Sequence, residues 1–169
     1  MGRYSILAAD PERFSEGEAV IRRSFATVAS QFGLTRENAP SNPAFLPDGA
    51  LSTDAAAGKE MYFLYDKDKI IGFIQLVVIS NSVVDLSKLC VLPEYRSRGG
   101  GRQLLDFAKA RAKAMGRSKL TVGIIEKNTA LKSWYVKNGF IPTGARIYED
   151  LPFLVGFLEC RLSEKPSLF

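Results

Sequence analysis

The order of apolar and polar positions along the chain predicts strands and helices within one compact unit. In the helical segments apolar residues recur every three to four positions, whereas the strands are shorter apolar runs bounded by turn residues. Asp66-Lys67-Asp68 joins two of these runs and is short enough for an antiparallel hairpin. The predicted strands cover 4–7, 60–65, 69–79, 83–91, 120–125, 140–148 and 153–161, and the predicted helices cover 10–31, 52–57, 99–115 and 128–138.

The connection from Gly33 to Lys59 differs from the rest of the chain because it is rich in Asn, Pro, Ser, Asp and Gly. Connections of this length in compact domains are usually lids or binding loops. The strand, helix and strand over 83–125 require a right-handed parallel crossover. We therefore expect a single α/β domain over residues 1–169, with one central mixed sheet.

The composition is typical of a globular domain, with 46% hydrophobic and 24% charged residues in a chain of 169. The longest apolar run, Ile70–Ile79, has about half of the roughly 20 residues that a membrane-spanning helix needs. The N-terminus shows no signal-peptide pattern. Cys90 and Cys160 lack the spacing of a zinc site or a disulfide framework. We expect a cytoplasmic protein that does not insert into membranes.

The sequence contains no His. This excludes His-based catalytic triads and His-containing metal sites, so no metal is expected. Any proton transfer must use carboxylates, Tyr, Cys, Lys, water or the backbone.

The formal net charge of +5 is unevenly distributed. Residues 96–137 hold 11 Lys or Arg and 2 acids, a local charge of +9, whereas the remainder holds 12 bases and 16 acids. A basic segment of this size suits the phosphates of a cofactor, and no nucleic-acid-binding module is visible. The acidic remainder is compatible with a cationic acceptor that carries an amine.

The segment from Leu89 to Arg102 indicates a strand that turns directly into a helix, with glycines in the turn. The first N–H groups of a helix lack intrahelical partners and attract anions, and glycines let the backbone approach a phosphate closely. The dinucleotide fingerprint fails at Leu104, and no P-loop lysine follows. Phosphate binding is therefore predicted for a different glycine motif, with arginines at Arg96, Arg98 and Arg102.

Two motifs resemble those of the GNAT superfamily of acyl-CoA-dependent N-acyltransferases. Arg96-x-x-Gly99-x-Gly101 is similar to that family's Gln/Arg-x-x-Gly-x-Gly/Ala pyrophosphate loop. The segment from Asn128 to Phe140 resembles its second signature, in which an Asn opens a helix and a Tyr follows seven residues later. The resemblance implies a mostly antiparallel sheet of six to seven strands, with a parallel splayed pair at the cofactor site and about four flanking helices.

The resemblance also implies roles for individual residues. Strand backbone groups at the end of the fourth strand would pair with the pantetheine arm of acetyl-CoA, and the loop would hold the pyrophosphate. Asn128 would bind the cofactor, although a role as a helix N-cap explains it equally well. Tyr135 would protonate the departing thiolate, or it is a packed core aromatic. The implied cofactor-binding residues are Leu89, Cys90, Val91, Arg96, Ser97, Arg98, Gly99, Gly100, Gly101, Arg102 and Asn128.

The resemblance does not extend to the general base. Many relatives place a Glu five residues before the motif Asn, and this chain has Gly123 there. Asp85 is the nearest alternative, acting directly or through water, although a solvated carboxylate explains it as well. Glu126 is interpreted as a loop charge. Cys90 stands mid-strand, where free cysteines are usually buried, so we expect no acyl-enzyme.

The predicted function is transfer of an acetyl group from acetyl-CoA to a primary amine by direct attack in a ternary complex. The acceptor is a small molecule, a protein N-terminus or a lysine. The missing Glu at position 123 supports an alternative, a non-catalytic domain that only binds acyl-CoA. We expect segments 33–59 and 150–153 to form the acceptor walls, and exposed edge strands could support a homodimer.

Overall fold

A computed structural model of the chain describes residues 4–162, which form one seven-stranded sheet flanked by four α-helices. The strands are β1 (Ser5–Ala8), β2 (Glu60–Asp66), β3 (Lys69–Val78), β4 (Val83–Val91), β5 (Lys119–Ile125), β6 (Ile141–Arg146) and β7 (Val155–Arg161). The α-helices are α1 (Phe14–Gln31), α2 (Ala50–Ala56), α3 (Gly100–Ala114) and α4 (Thr129–Lys137). The strand order is β1-β2-β3-β4-β5-β7-β6, and β4 and β5 form the one parallel pair of this sheet.

Helices α1 and α3 pack on opposite faces of the sheet. Gly17 of α1 lies so close to Phe63 that a Cβ at this glycine would collide with the phenyl ring. Gly100 of α3 approaches Leu64, the next residue of β2. Because successive side chains of a strand point to opposite faces, the two helices enclose the sheet from both sides. The main core fills the two interfaces.

The segment between α1 and β2 is more ordered than its composition predicts. It contains a 3-10 turn at Pro43–Phe45 and the helix α2. The buried carboxylate of Glu18 accepts hydrogen bonds from the N–H groups of Gly49, at 3.2 Å, and Leu51, at 3.0 Å. These bonds satisfy donors at the start of α2 and fix this helix against α1.

The predicted elements are confirmed, with small shifts at their ends. The first helix begins as a 3-10 turn, Pro11–Arg13, because the Asp10 side chain caps it by accepting from Glu12 N–H at 3.0 Å. The short helix predicted at 52–57 begins two residues earlier, and the strand predicted at 140–148 ends at Arg146. None of the described helices is both long and apolar enough to cross a membrane.

Strands β4 and β5 separate halfway along their length. Their pairing covers Val83–Leu86 against Lys119–Val122 and goes no further. Beyond that point β4 contains a bulge, since Phe73 pairs with Cys90 but Gln75 pairs with Ser87. The second half of β4 is therefore bonded to β3 alone, and its other edge faces a cleft. This is the predicted splayed pair.

Candidate active site

The turn from β4 into α3 presents a concave row of backbone N–H groups. Ser97 and Gly99 have positive φ angles of 64° and 86°, which curl the chain before the helix begins. The first intrahelical hydrogen bond is donated by Gln103 N–H to the Gly99 carbonyl, at 3.0 Å. The N–H groups of Gly100, Gly101 and Arg102 come before Gln103 in the chain, and they have no intrahelical acceptors. Together with the helix dipole they favour negative charge at this point.

The three consecutive glycines of this turn differ in what the surrounding structure requires of them. Gly99 needs its left-handed conformation. Gly100 needs its small size, because a Cβ there would lie 3.0 Å from Leu64 Cδ2. A Cβ at Gly101 would meet only the Trp134 ring, at an ordinary 3.5 Å, so Gly101 keeps the cleft wide without being required for folding.

The arginines of this turn also differ in role. The guanidinium of Arg96 donates to the carbonyl oxygens of Val91, at 3.1 Å, and Ser24, at 2.7 Å, and to Thr27 Oγ1, at 2.9 Å. Arg96 therefore fixes the turn to α1, and each of its three guanidinium nitrogens donates one hydrogen bond within the protein.

Arg98 and Arg102 are the cations that remain for phosphate oxygens. The guanidinium of Arg98 lies 5.5 Å from the centre of the Tyr95 ring, at the mouth of the turn. Arg102 is 73% exposed and approaches Asp106 only at 3.8 Å. Other cations of the basic segment pair with acids elsewhere: Arg111 with Glu60, Lys119 with Glu159 and Lys132 with Glu126. The local charge of +9 is thus spread over several surfaces.

A cleft of about 690 Å³ runs from this turn to the splay of the sheet. Leu89, Cys90 and Val91 form one wall, and residues of α1, of α4 and of the α4 N-cap form the others. Among these, Asn128 Oδ1 caps α4 by accepting from Leu131 N–H at 3.2 Å. The Asn128 amide nitrogen makes no hydrogen bond within residues 4–162, so the same side chain caps the helix and still presents donors to the cleft.

A second cavity, of about 470 Å³, adjoins the first. The two share residues at their junction, namely Phe25, Val28, Leu89, Asn128, Leu131 and Tyr135. Its outer walls come from 39–43, in the segment between α1 and α2, and from Leu151 and Phe153. Both predicted wall segments therefore reach this cavity.

Tyr135 stands at the junction. It is 3% exposed and packs edge-on against Trp134 and Phe140, with ring centres 5.0 and 5.1 Å away. Burial raises the pKa of its phenol, and the nearby Asp85 carboxylate raises it further. The phenol is therefore protonated throughout the neutral range and is a hydrogen-bond donor. A packing role and a chemical role are compatible for Tyr135, since its ring lies in the core and the residue also borders both cavities.

Asp85 lines the second cavity where β4 and β5 begin to separate. Its Oδ1 accepts from Thr121 Oγ1 at 2.6 Å. Burial raises the pKa of this carboxyl group, while the Thr121 hydrogen bond opposes the rise. A partly desolvated carboxylate that faces a cavity is a reasonable proton acceptor.

The other candidates for proton or acyl transfer are differently placed. Gly123 lines the cavity, and a Cβ there would lie 3.3 Å from Val155 Cγ1. Glu126 forms an ion pair with Lys132, in agreement with its interpretation as a loop charge. Cys90 is buried, and burial raises the pKa of its thiol to about 12. Such a thiol is almost entirely protonated at neutral pH and is a poor nucleophile.

The sequence did not point to two residues that the structure brings to these cavities. Trp134 covers the start of α3 and lines the cleft; its place directly before Tyr135 was the available signal. Lys88 lines the second cavity because of the bulge in β4, and no pattern in the sequence announces that bulge.

Comparisons with known proteins agree with this geometry. The profile described as Acetyltransferase (GNAT) domain matches residues 57–142, just over half of the chain. An uncharacterised N-acetyltransferase of Lactobacillus delbrueckii subsp. lactis is 27% identical over 152 residues, which cover 82% of this chain and 85% of that protein.

Solved structures show the same fold. The ribosomal-protein-S18-alanine N-acetyltransferase from Escherichia coli superposes with a TM-score of 0.75 at 15% identity, covering 98% of both chains. The PaiA N-acetyltransferase from Thermoplasma acidophilum, in complex with coenzyme A, gives a TM-score of 0.72 at 21% identity, covering 95% of this chain and 99% of that one. The chain is thus an acyltransferase that belongs to the GNAT family of N-acetyltransferases.

Proposed function

We propose that this protein transfers the acetyl group of acetyl-CoA to a primary amine by direct attack, with both substrates bound together. The observation that supports this most strongly is the meeting of two cavities at Tyr135. One cavity begins at an anion-binding helix start, and the other contains a partly desolvated carboxylate.

The residues of the first cleft fit acetyl-CoA. The unpaired edge of β4 at Leu89–Val91 offers backbone groups to an amide-rich chain, as an added strand would require. The N–H groups at the start of α3, with Arg98 and Arg102, match a pyrophosphate. The cleft's volume of about 690 Å³ is adequate for an extended cofactor arm. The relative from Thermoplasma acidophilum was crystallised with coenzyme A, which agrees with this assignment.

Acetyl-CoA, when bound, supplies a thioester carbonyl that an amine can attack. The chain's own residues then handle the proton and the charge. Asp85 accepts a proton from the acceptor ammonium, directly or through water, which makes the nitrogen nucleophilic. An ammonium of pKa about 10.4 is neutral in only about one molecule in 10³ to 10⁴ at pH 7. Forming the neutral amine therefore costs about 4 to 5 kcal/mol, which the site must offset.

Tyr135 acts on the departing sulfur. Its raised phenol pKa keeps the proton in place at neutral pH and makes the O–H a donor that is always available. Because a thiolate is a weaker base than this phenolate, we propose that Tyr135 stabilises the leaving sulfur by donating a hydrogen bond. It passes a proton to the sulfur only as it takes up the proton that the acceptor nitrogen loses when the amide forms.

The test is thiol release from acetyl-CoA in the presence of a panel of primary amines, with mass spectrometry of the acetylated product. Thiol and acetylamide are expected in equal amounts. A protein that binds acetyl-CoA but acetylates no small amine, peptide N-terminus or lysine would support the binding-only alternative. Such a result would contradict the proposal.

A further inference from the structure

The acceptor cavity contains a cation as well as a carboxylate. Among the described residues that line it, Asp85 and Lys88 are the charged ones, and both belong to β4. The remaining walls are largely apolar, with aromatic rings from Phe25, Phe153 and Phe157. A cavity of this composition is complementary to a molecule with one apolar body and two opposite charges.

Lys88 reaches the cavity because the β4 strand is bulged. Asp85 and Lys88 are three positions apart, and in a regular strand such positions point to opposite faces. Lys88 has a φ of 55°, a left-handed conformation that is disfavoured for a residue with a Cβ. Bulges re-aim side chains, and they recur next to active sites. Here the bulge brings Lys88 to the cavity that Asp85 also lines.

The charge of Lys88 is incompletely balanced. Its Nζ lies 3.5 Å from Asp54 Oδ2, and the side chains are only 17% and 15% exposed. The other oxygen of Asp54 lies 3.1 Å from Lys59 Nζ. Two ammonium groups therefore share one carboxylate, which leaves a net charge of +1 in a cluster of two largely buried side chains and the one-third exposed Lys59. A buried charge without full compensation is costly, and an anion in the cavity would complete the balance.

We propose that Lys88 binds a carboxylate of the acceptor, so that the acceptor is an amino acid with an apolar or aromatic side chain. This inference rests on the proposed function and narrows its substrate class. Its amine faces Asp85, its carboxylate faces Lys88, and its side chain occupies the apolar walls. Three residues of strand span at most about 10 Å, a separation of the two Cα atoms that one small molecule can bridge.

The test compares phenylalanine with 2-phenylethylamine, which has the same amine and ring but no carboxylate. The wild-type protein is expected to acetylate phenylalanine with the higher kcat/KM. Lys88→Met is expected to lower kcat/KM for phenylalanine by about 10- to 100-fold and to leave 2-phenylethylamine unaffected. Lys119→Met is the control, because Lys119 also pairs with a carboxylate, that of Glu159, but does not line the cavity. It should change neither value.

A binding measurement separates this inference from the proposed function. N-acetylphenylalanine, titrated into the protein with coenzyme A present, should bind the wild-type protein and Lys119→Met about equally, and Lys88→Met more weakly. If no amine is acetylated but this pattern holds, acetyl transfer fails as the function while carboxylate recognition stands. Equal use of both acceptors by the wild-type protein, or equal loss of both in Lys88→Met, would overturn the assignment of Lys88. So would binding that does not depend on Lys88.

Discussion

Replacing Asp85 with Asn should separate catalysis from stability. The carboxamide keeps the size of the side chain and an oxygen that can accept the Thr121 hydroxyl, now 2.6 Å from Oδ1. It removes the charge and the basicity. A positioned general base contributes about 10²- to 10⁴-fold, so kcat/KM for acetyl transfer at pH 7 should fall by about that factor. Affinity for acetyl-CoA should stay unchanged, since Asp85 lines only the second cavity.

The same substitution should stabilise the fold at pH 7. Burial raises the pKa of Asp85 in the folded protein. The folded state therefore prefers the protonated carboxyl, and stability falls as pH rises through the pKa of the folded state. Asparagine removes that loss. A single stabilising substitution typically yields about 0.5–2 kcal/mol, and for a domain of this size each kcal/mol raises Tm by about 2–4 °C.

The assay is the pH dependence of kcat/KM by thiol release, together with thermal unfolding at pH 4 and pH 7. Glu159→Gln is the matched control. Glu159 and Asp85 both pair in register with Thr121, from the two neighbouring strands. The Glu159 carboxylate, however, contacts Lys119, and Glu159 lines neither cavity. The control should keep its activity. Nearly full activity in Asp85→Asn would refute the assignment of Asp85 as the base. Marked destabilisation at pH 7 would show instead that the carboxylate is a structural anchor.

Three further substitutions test other parts of the site. Tyr135→Phe should lower kcat by about 10²-fold with little change in acetyl-CoA affinity, measured by calorimetry, and equal loss of both would remove its role at the sulfur. Arg98→Ala with Arg102→Ala should weaken acetyl-CoA binding by about tenfold or more and reduce its salt dependence, whereas Arg111→Ala, which breaks the pair with Glu60, should leave affinity unchanged. Glu18→Gln should cost about 1–3 kcal/mol in denaturant unfolding, because Gly49 and Leu51 donate to different oxygens and one of these becomes an NH2 group that cannot accept. An unchanged midpoint would contradict that role.

The fold could be predicted from the sequence because its signals are local. Hydrophobic periodicity locates the strands and helices, and glycines mark the turns at Gly33, Gly116 and Gly139, each of which has a positive φ. The conformation of the turn from β4 into α3 was predictable for the same reason, since it depends on a continuous run of residues.

The residues that depend on tertiary contacts could not be assigned in this way. Arg96 belongs to the loop motif, but its guanidinium binds α1, which is about seventy residues away in sequence. Helix capping and ligand binding by Asn128 do not exclude each other, because the side-chain oxygen caps the helix and the nitrogen is a separate group. Lys88 faces the acceptor cavity only because of a bulge in β4, and a bulge changes side-chain direction without changing the hydrophobic pattern that precedes it.

In the proposed reaction the acetyl group passes directly from the cleft to the cavity at Tyr135. Mixing the protein with one equivalent of acetyl-CoA tests it most directly, with thiol release and intact protein mass followed before and after an amine acceptor is added. Without acceptor we expect neither thiol release nor acetylated protein, because the Cys90 thiol is buried with a pKa of about 12. After addition, thiol and acetylated amine should appear together in equal amounts. A burst of thiol with acetylated protein before any amine is present would contradict direct transfer.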